Sequence, residues 1–119
     1  MKLKFSQRYT VSSGRRETTT APIAQNAWNH LAVVFDGSTA GNTPTIYVNG
    51  TLIPVVNYAT PDGVIETSTA FNIGNNQNNG VRTFDGTVDE VHILNSSLSA
   101  QWIETMFNNP SDPADFFTP

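Results

Sequence analysis

TIYVNGTLIPV, residues 45–55, sets two short apolar runs on either side of Asn49-Gly50. Asn and Gly are the residues that most readily take positive φ. A type I′ turn needs that conformation at both central positions, so the stretch reads as a tight β-hairpin. Pro54 has no N–H to give to a ladder, which places the second arm at a sheet edge or a bulge.

The pattern continues outward. Segments 3–11, 15–20, 30–35, 44–49, 51–58, 69–73 and 83–94 alternate or run apolar, and clusters of Gly, Asn, Pro or Asp separate them. That spacing predicts an all-β chain. Composition agrees: 38% of residues are hydrophobic and 13% charged, with Thr, Asn, Ser and Gly filling the balance. A length of 119 residues suits one domain, 1–119. LAVVF, 31–35, is apolar on both faces and predicts a central strand covered on each side, with Trp28 in the core at its entrance. No Cys occurs, which excludes disulfides and thiolate metal sites. No apolar run approaches the ~20 residues of a membrane helix, and no apolar leader segment follows Met1.

Net charge is −4, unevenly spread. Lys2, Lys4, Arg8, Arg15 and Arg16 stand against Glu17 in the first 20 residues, whereas Arg82 alone offsets nine acids in the rest. The cations alternate with Leu3, Phe5, Tyr9 and Val11, which reads as the solvated face of a strand in preference to a nucleic-acid arm. One helix is expected over AQWIETMF, starting near Ser97 or Ser99 with Ser99 as N-cap. Trp102, Ile103, Met106 and Phe107 share its sheet-packing face. Residues 108–119 form a Pro- and Asp-rich tail, with Phe116 and Phe117 to tie it down.

Four stretches carry a likeness to a known family. Trp28-Asn29-His30-Leu31-Ala32-Val33-Val34-Phe35-Asp36-Gly37, Ile46-Tyr47-Val48-Asn49-Gly50 and Phe71-Asn72-Ile73-Gly74 occur in the order seen in laminin-G-like, concanavalin A-like jelly-roll domains. Phe84-Asp85-Gly86-Thr87-Val88-Asp89-Glu90-Val91-His92-Ile93, then Leu98-Ser99 and a short helix, resembles the closing strand and tail of that family. The likeness covers residues 28–107, ahead of which 1–27 supply N-terminal strands. It implies an antiparallel two-sheet β-sandwich with one short C-terminal helix, and a non-catalytic module that recognises carbohydrate or glycoconjugate, often with calcium. Such domains usually have more strands ahead of the Trp-x-His segment. The resemblance therefore also implies a sheet face completed by self-association or by docking to a larger assembly, because monomers avoid large exposed apolar patches. The rival reading is a structural decoration or adhesion protein of a virion, appendage or cell-surface assembly. Both readings favour an extracellular, cell-surface or virion-associated setting.

Catalytic chemistry finds little support in the residues. Glucan-cleaving relatives of the sandwich carry a Glu-x-Asp-x-x-Glu strand, which is absent. A retaining pair needs carboxyls ~5–5.5 Å apart, whereas positions i and i+4 on a strand, such as Asp85 and Asp89, lie about 13 Å apart. Asp89 and Glu90 are adjacent and face opposite ways. His30 and His92 have no nucleophile motif and no paired metal spacing.

Calcium fits the residue types better. It takes six to eight oxygens from carboxylates, carbonyls and amides, and Asp36, Ser38, Asn42, Asn75, Asn76, Asn78 and Asp89 would supply them from three loops or strand ends. Asp36 and Asp89 are the expected metal ligands. Solvated polar loops are the simpler account of the same residues. Through FDGTVDEVHIL, 84–94, the alternation changes phase near Asp89-Glu90, which predicts a β-bulge there, with Asp85 in a turn and Glu90 solvated. For a sugar, the expected contacts are Tyr58 as aromatic platform and Asn75, Asn76 and Asn78 as hydroxyl partners.

Overall fold

The computed structural model describes residues 1–67, 72–74 and 84–111. Among these, six strands and one helix form: β1 Lys4–Gln7, β2 Gly14–Thr18, β3 Leu31–Val34, β4 Thr45–Val48, β5 Thr51–Ile53, β6 Val55–Ala59 and α1 Ala100–Ser111. They make two antiparallel three-stranded sheets, ordered β1-β2-β6 and β3-β4-β5, a small two-sheet β-sandwich.

The β4–β5 hairpin closes as its sequence dictates. Asn49 has φ 50° and Gly50 φ 72°, the two left-handed positions of the turn. Asn49 also joins the hairpin to β3: its N–H donates to His30 O at 2.9 Å, and its Oδ1 accepts from His30 N–H at 2.8 Å. At Pro54 the chain leaves one sheet and enters the other. With no N–H to continue a ladder, Pro54 separates β5 from β6, and each of these lies at the edge of its own sheet. Its carbonyl accepts from Thr19 N–H at 2.9 Å, which ties the corner to the end of β2.

The central strand of the second sheet is β4. Ile46, Tyr47 and Val48 are buried in succession, so both faces of the strand are covered. The expectation for LAVVF is corrected here: β3 pairs with β4 alone among the described strands, and Leu31 and Val33 are about half exposed. Apolar residues on both faces make double burial possible, but the neighbouring layers decide whether it happens. Trp28 likewise stands 71% exposed and is not core. The segment 84–94 carries no strand, so the expected closing strand is also corrected. Glu90 has φ 50°, and its N–H donates to Asp89 Oδ1 at 2.8 Å. The break in alternation is thus real, but it is a left-handed kink in a segment that forms no strand ladder among the described residues, and not a bulge in one. The strand expected over 69–73 lies mostly outside the described residues.

Across the sandwich, Phe5 of β1 meets Phe35, just past β3, with ring centroids 5.2 Å apart. The helix begins where its cap was expected: Ser99 Oγ accepts from Trp102 N–H at 3.3 Å and Ser99 O from Ile103 N–H at 3.1 Å. Ile103 is its anchor, 1% exposed, whereas Trp102 is 61% exposed and only skirts the interface. Phe107 packs over the hairpin turn, where a Cβ on Gly50 would stand 3.3 Å from its Cδ1. The inner face of β1-β2-β6 is unusually polar. Gln7 and Arg16 are buried beside Tyr9, and both polar atoms of the Gln7 amide, the Tyr9 hydroxyl and Arg16 Nε lack hydrogen-bond partners.

Candidate functional site

The outer face of β1-β2-β6 holds the most defined constellation. Register sets Lys4 opposite Glu17 and Ser6 opposite Arg15, so these four side chains share one face. Between β2 and β6 the register slips: Arg15 pairs with Ala59 but Arg16 with Asn57. Tyr58 is the extra residue, and a bulge of this kind re-aims the side chain that it inserts.

The Tyr58 ring turns outward and is 54% exposed. Arg15 Cζ lies 4.9 Å from its centroid, a stacking distance for a guanidinium on a phenol ring. On its other side Arg15 Nε stands 3.4 Å from Glu17 Oε1. That approach is a charge contact without hydrogen-bond alignment, since Nε is shielded from solvent and makes no hydrogen bond.

Neighbouring turns brace this edge. Pro61 packs directly on the start of β2, and a Cβ on Gly14 would lie 2.9 Å from Pro61 Cγ, so only Gly permits the approach. Asn57 Nδ2 donates to Thr60 Oγ1 at 3.0 Å, and Arg16 Nη1 reaches from the inner face to Ala59 O at 2.9 Å. The residues on both sides of Tyr58 are thus held. An aromatic ring set at a bulge with a guanidinium against it, and with a carboxylate, an ammonium and a hydroxyl further across the same face of the sheet, offers an apolar surface with hydrogen-bonding groups to one side.

A second feature lies between α1 and the 84–94 segment: an open cleft of about 450 Å³ lined by Glu90, His92, Met106 and Asn109. His30 is nearby in electrostatic terms. Burial pushes its pKa below the ordinary value, the Glu90 carboxylate opposes that shift, and His92 adds to it. The His30 ring packs against Phe107 with centroids 6.0 Å apart, and its Nδ1 is buried without a partner. Sequence reasoning set both histidines aside separately, and nothing in their spacing announces that one helix brings them near the same cleft.

The predicted site residues fare differently. Tyr58 is exposed, as expected. Asn75, Asn76 and Asn78 lie outside the described residues. Asp36 is exposed, and its Oδ1 accepts from Ser38 N–H at 2.9 Å. That backbone bond, then the Ser38 hydroxyl, holds its carboxyl below the usual range. Asn42 Nδ2 donates to Asp36 O at 3.0 Å, so Asp36, Ser38 and Asn42 do come together, largely satisfying one another. Asp89 is exposed and bonded to its own neighbour. Among the described residues, no three His, Cys, Asp or Glu side chains group as a metal site. Arg15 and Glu17 were missed as site residues. Their shared phase on β2 was visible, but their placement beside Tyr58 depends on a non-local pairing and its bulge.

No curated protein and no solved structure matches the chain. A family model described as the concanavalin A-like lectin/glucanases superfamily matches residues 2–104, taking in β1 and β2 as well as the hairpin and the start of α1. This span is most of the chain, and the protein belongs to that laminin-G-like family of concanavalin A-like domains.

Proposed function

We propose that the chain is a non-catalytic carbohydrate-recognition module that reads a glycan on the outer face of β1-β2-β6. The observation that carries this reading is Tyr58, a ring more than half exposed and set outward by a bulge with Arg15 against it. Pyranose rings present one apolar face of C–H groups and an equator of hydroxyls. The first packs on an aromatic ring, and the second bonds to groups such as Glu17, Ser6 and Lys4. Family membership supports the class of ligand, since the family description covers both lectins and glucanases. Against hydrolysis, a glycosidase of the usual kind needs two carboxyls across one bond, whereas the ladder neighbours of Glu17 on this face are Lys4 and Val56.

The proposal includes calcium assistance at Asp36 and Asp89, supported by the oxygen-rich turn that joins Asp36, Ser38 and Asn42. Glycan-array screening of the native chain and Tyr58→Ala tests the main reading. Binding by the native chain that Tyr58→Ala abolishes supports it, and absence of any glycan signal from the native chain refutes it.

A second reading, an element of a larger assembly, is favoured by the half-exposed Leu31 and Val33 and by the exposed Trp28 and Trp102. Light scattering on the purified chain decides it. A defined oligomer that persists on dilution supports assembly through these residues, and a monomer contradicts it.

A further inference from the structure

We infer that the ligand of the Tyr58 face is an acidic glycan, a sugar chain bearing carboxylate or sulfate groups, with its anionic group on the η nitrogens of Arg15. The inference rests on the carbohydrate reading above and names the class of sugar.

Three observations carry it. First, the cations are segregated. Lys2, Lys4, Arg8 and Arg15 fall in one phase of β1 and β2 or just beside them, while the chain as a whole is acidic, with a net charge of −4. Among the described residues the acids close to this face are Glu17, opposite Lys4, Asp62, whose N–H donates to Ser12 O at 3.1 Å, and Glu66, whose N–H donates to Arg8 O at 3.0 Å, three against the four cations. A positive strip on a negative body draws an anion to one place and turns it away from the rest.

Second, Arg15 is prepared for an anion. Its guanidinium lies over the Tyr58 ring, with Cζ 4.9 Å from the centroid, and its Nε stands 3.4 Å from Glu17 Oε1. Nε is shielded, so the outer edge carrying the two η nitrogens is what the residue presents, and a planar fork of that kind matches a carboxylate or sulfate with two parallel bonds.

Third, the face is one aromatic residue wide. Tyr58 is the single Phe, Tyr or Trp on the outer faces of β1, β2 and β6. One ring beside one fork suits a pyranose with a charged substituent. Single-stranded nucleic acid stacks successive bases on successive rings, and among the described residues this face offers no second ring.

The experiment is calorimetric titration with three sugar hexamers: hyaluronan (carboxylate only), chondroitin sulfate (carboxylate and sulfate) and neutral cellohexaose. A polythymidine strand serves as the competing polyanion. Titrations use the native chain, Arg15→Gln and Lys4→Gln, with circular dichroism confirming that each variant is folded. At least one acidic hexamer binds the native chain more tightly than cellohexaose, and Arg15→Gln weakens it about ten-fold, as expected for loss of a paired charge-assisted contact. Lys4→Gln weakens it a few-fold, and raising the salt from about 50 to about 500 mM weakens it further. Tighter binding of hyaluronan than of chondroitin sulfate identifies carboxylate as the group read, and the reverse identifies sulfate. Equal binding of acidic and neutral hexamers, an unchanged Arg15→Gln, or polythymidine binding as tight as the acidic sugar each overturn the inference. In the first two cases glycan binding itself survives, so the carbohydrate reading stands without this refinement. No binding to any hexamer overturns the inference alone, and the glycan array then decides the carbohydrate reading.

Discussion

Ile103→Ala tests how the helix is attached. Ile103 is 1% exposed and is the buried apolar residue that α1 contributes to the core, so its truncation acts on one interface. Three carbons leave the core, worth about 0.8 kcal/mol each and so about 2.4 kcal/mol in transfer terms. If about 50 Å³ of the void fails to close, a further ~1.2 kcal/mol follows at about 24 cal/mol per Å³, and the sum of about 3.6 kcal/mol falls within the range measured for Ile→Ala. Urea unfolding followed by far-UV circular dichroism reads the change. With a slope of about 1.5 kcal/mol per M, the midpoint falls by about 2.4 M. Trp102→Ala is the control. Trp102 lies one residue away on the same stripe but is 61% exposed, and its truncation costs under about 1 kcal/mol. A midpoint that moves by less than about 0.5 M in Ile103→Ala, or a Trp102→Ala that costs as much, would refute this account of helix docking.

Gln7→Met exchanges a buried amide with two unpaired polar atoms for an apolar side chain of similar length, and it raises stability by about 1 kcal/mol in the same assay; a loss of that size would mean the amide has partners after all. His30 has its pKa depressed by burial, so the unfolded chain binds its proton more readily than the folded one. Its contribution is therefore complete above the unfolded value near 6.5 and is lost as pH falls through the lower folded value, and His30→Gln should flatten the fall in melting temperature over that acidic window. An unchanged slope in the variant would remove His30 as the cause. Calcium at millimolar concentration should raise the melting temperature of the native chain but not of Asp36→Ala or Asp89→Ala. No rise in the native chain, or an equal rise in all three, would end the calcium proposal.

What the residues alone disclosed depended on whether the interaction was local. The hairpin at Asn49-Gly50 and the cap at Ser99 are decided within a few residues, and both form where expected. Pro54 announced an irregularity but not its result, a strand that changes sheets, because that depends on which partner each arm finds. Apolarity failed as a guide to burial at Leu31, Val33 and Trp28, since covering those faces requires layers that local sequence does not describe. At the site, Tyr58 was legible as an exposed aromatic beside a turn. Arg15 and Glu17 were not, because the β2–β6 pairing joins segments some forty residues apart and slips by one residue at Tyr58. The kink at Glu90 was visible as a change of phase, but a phase change has the same signature in a paired strand and in an unpaired one.

A glycan bound on the outer face of β1-β2-β6 would touch all three strands, and amide chemical-shift mapping, with a binding sugar from the array titrated into isotope-labelled protein, locates it. The perturbed amides should cluster at Lys4–Arg8, Gly14–Thr18 and Asn57–Thr60. Perturbations gathered instead at Glu90, His92, Met106 and Asn109 would place the ligand in the helix-side cleft and contradict the proposal.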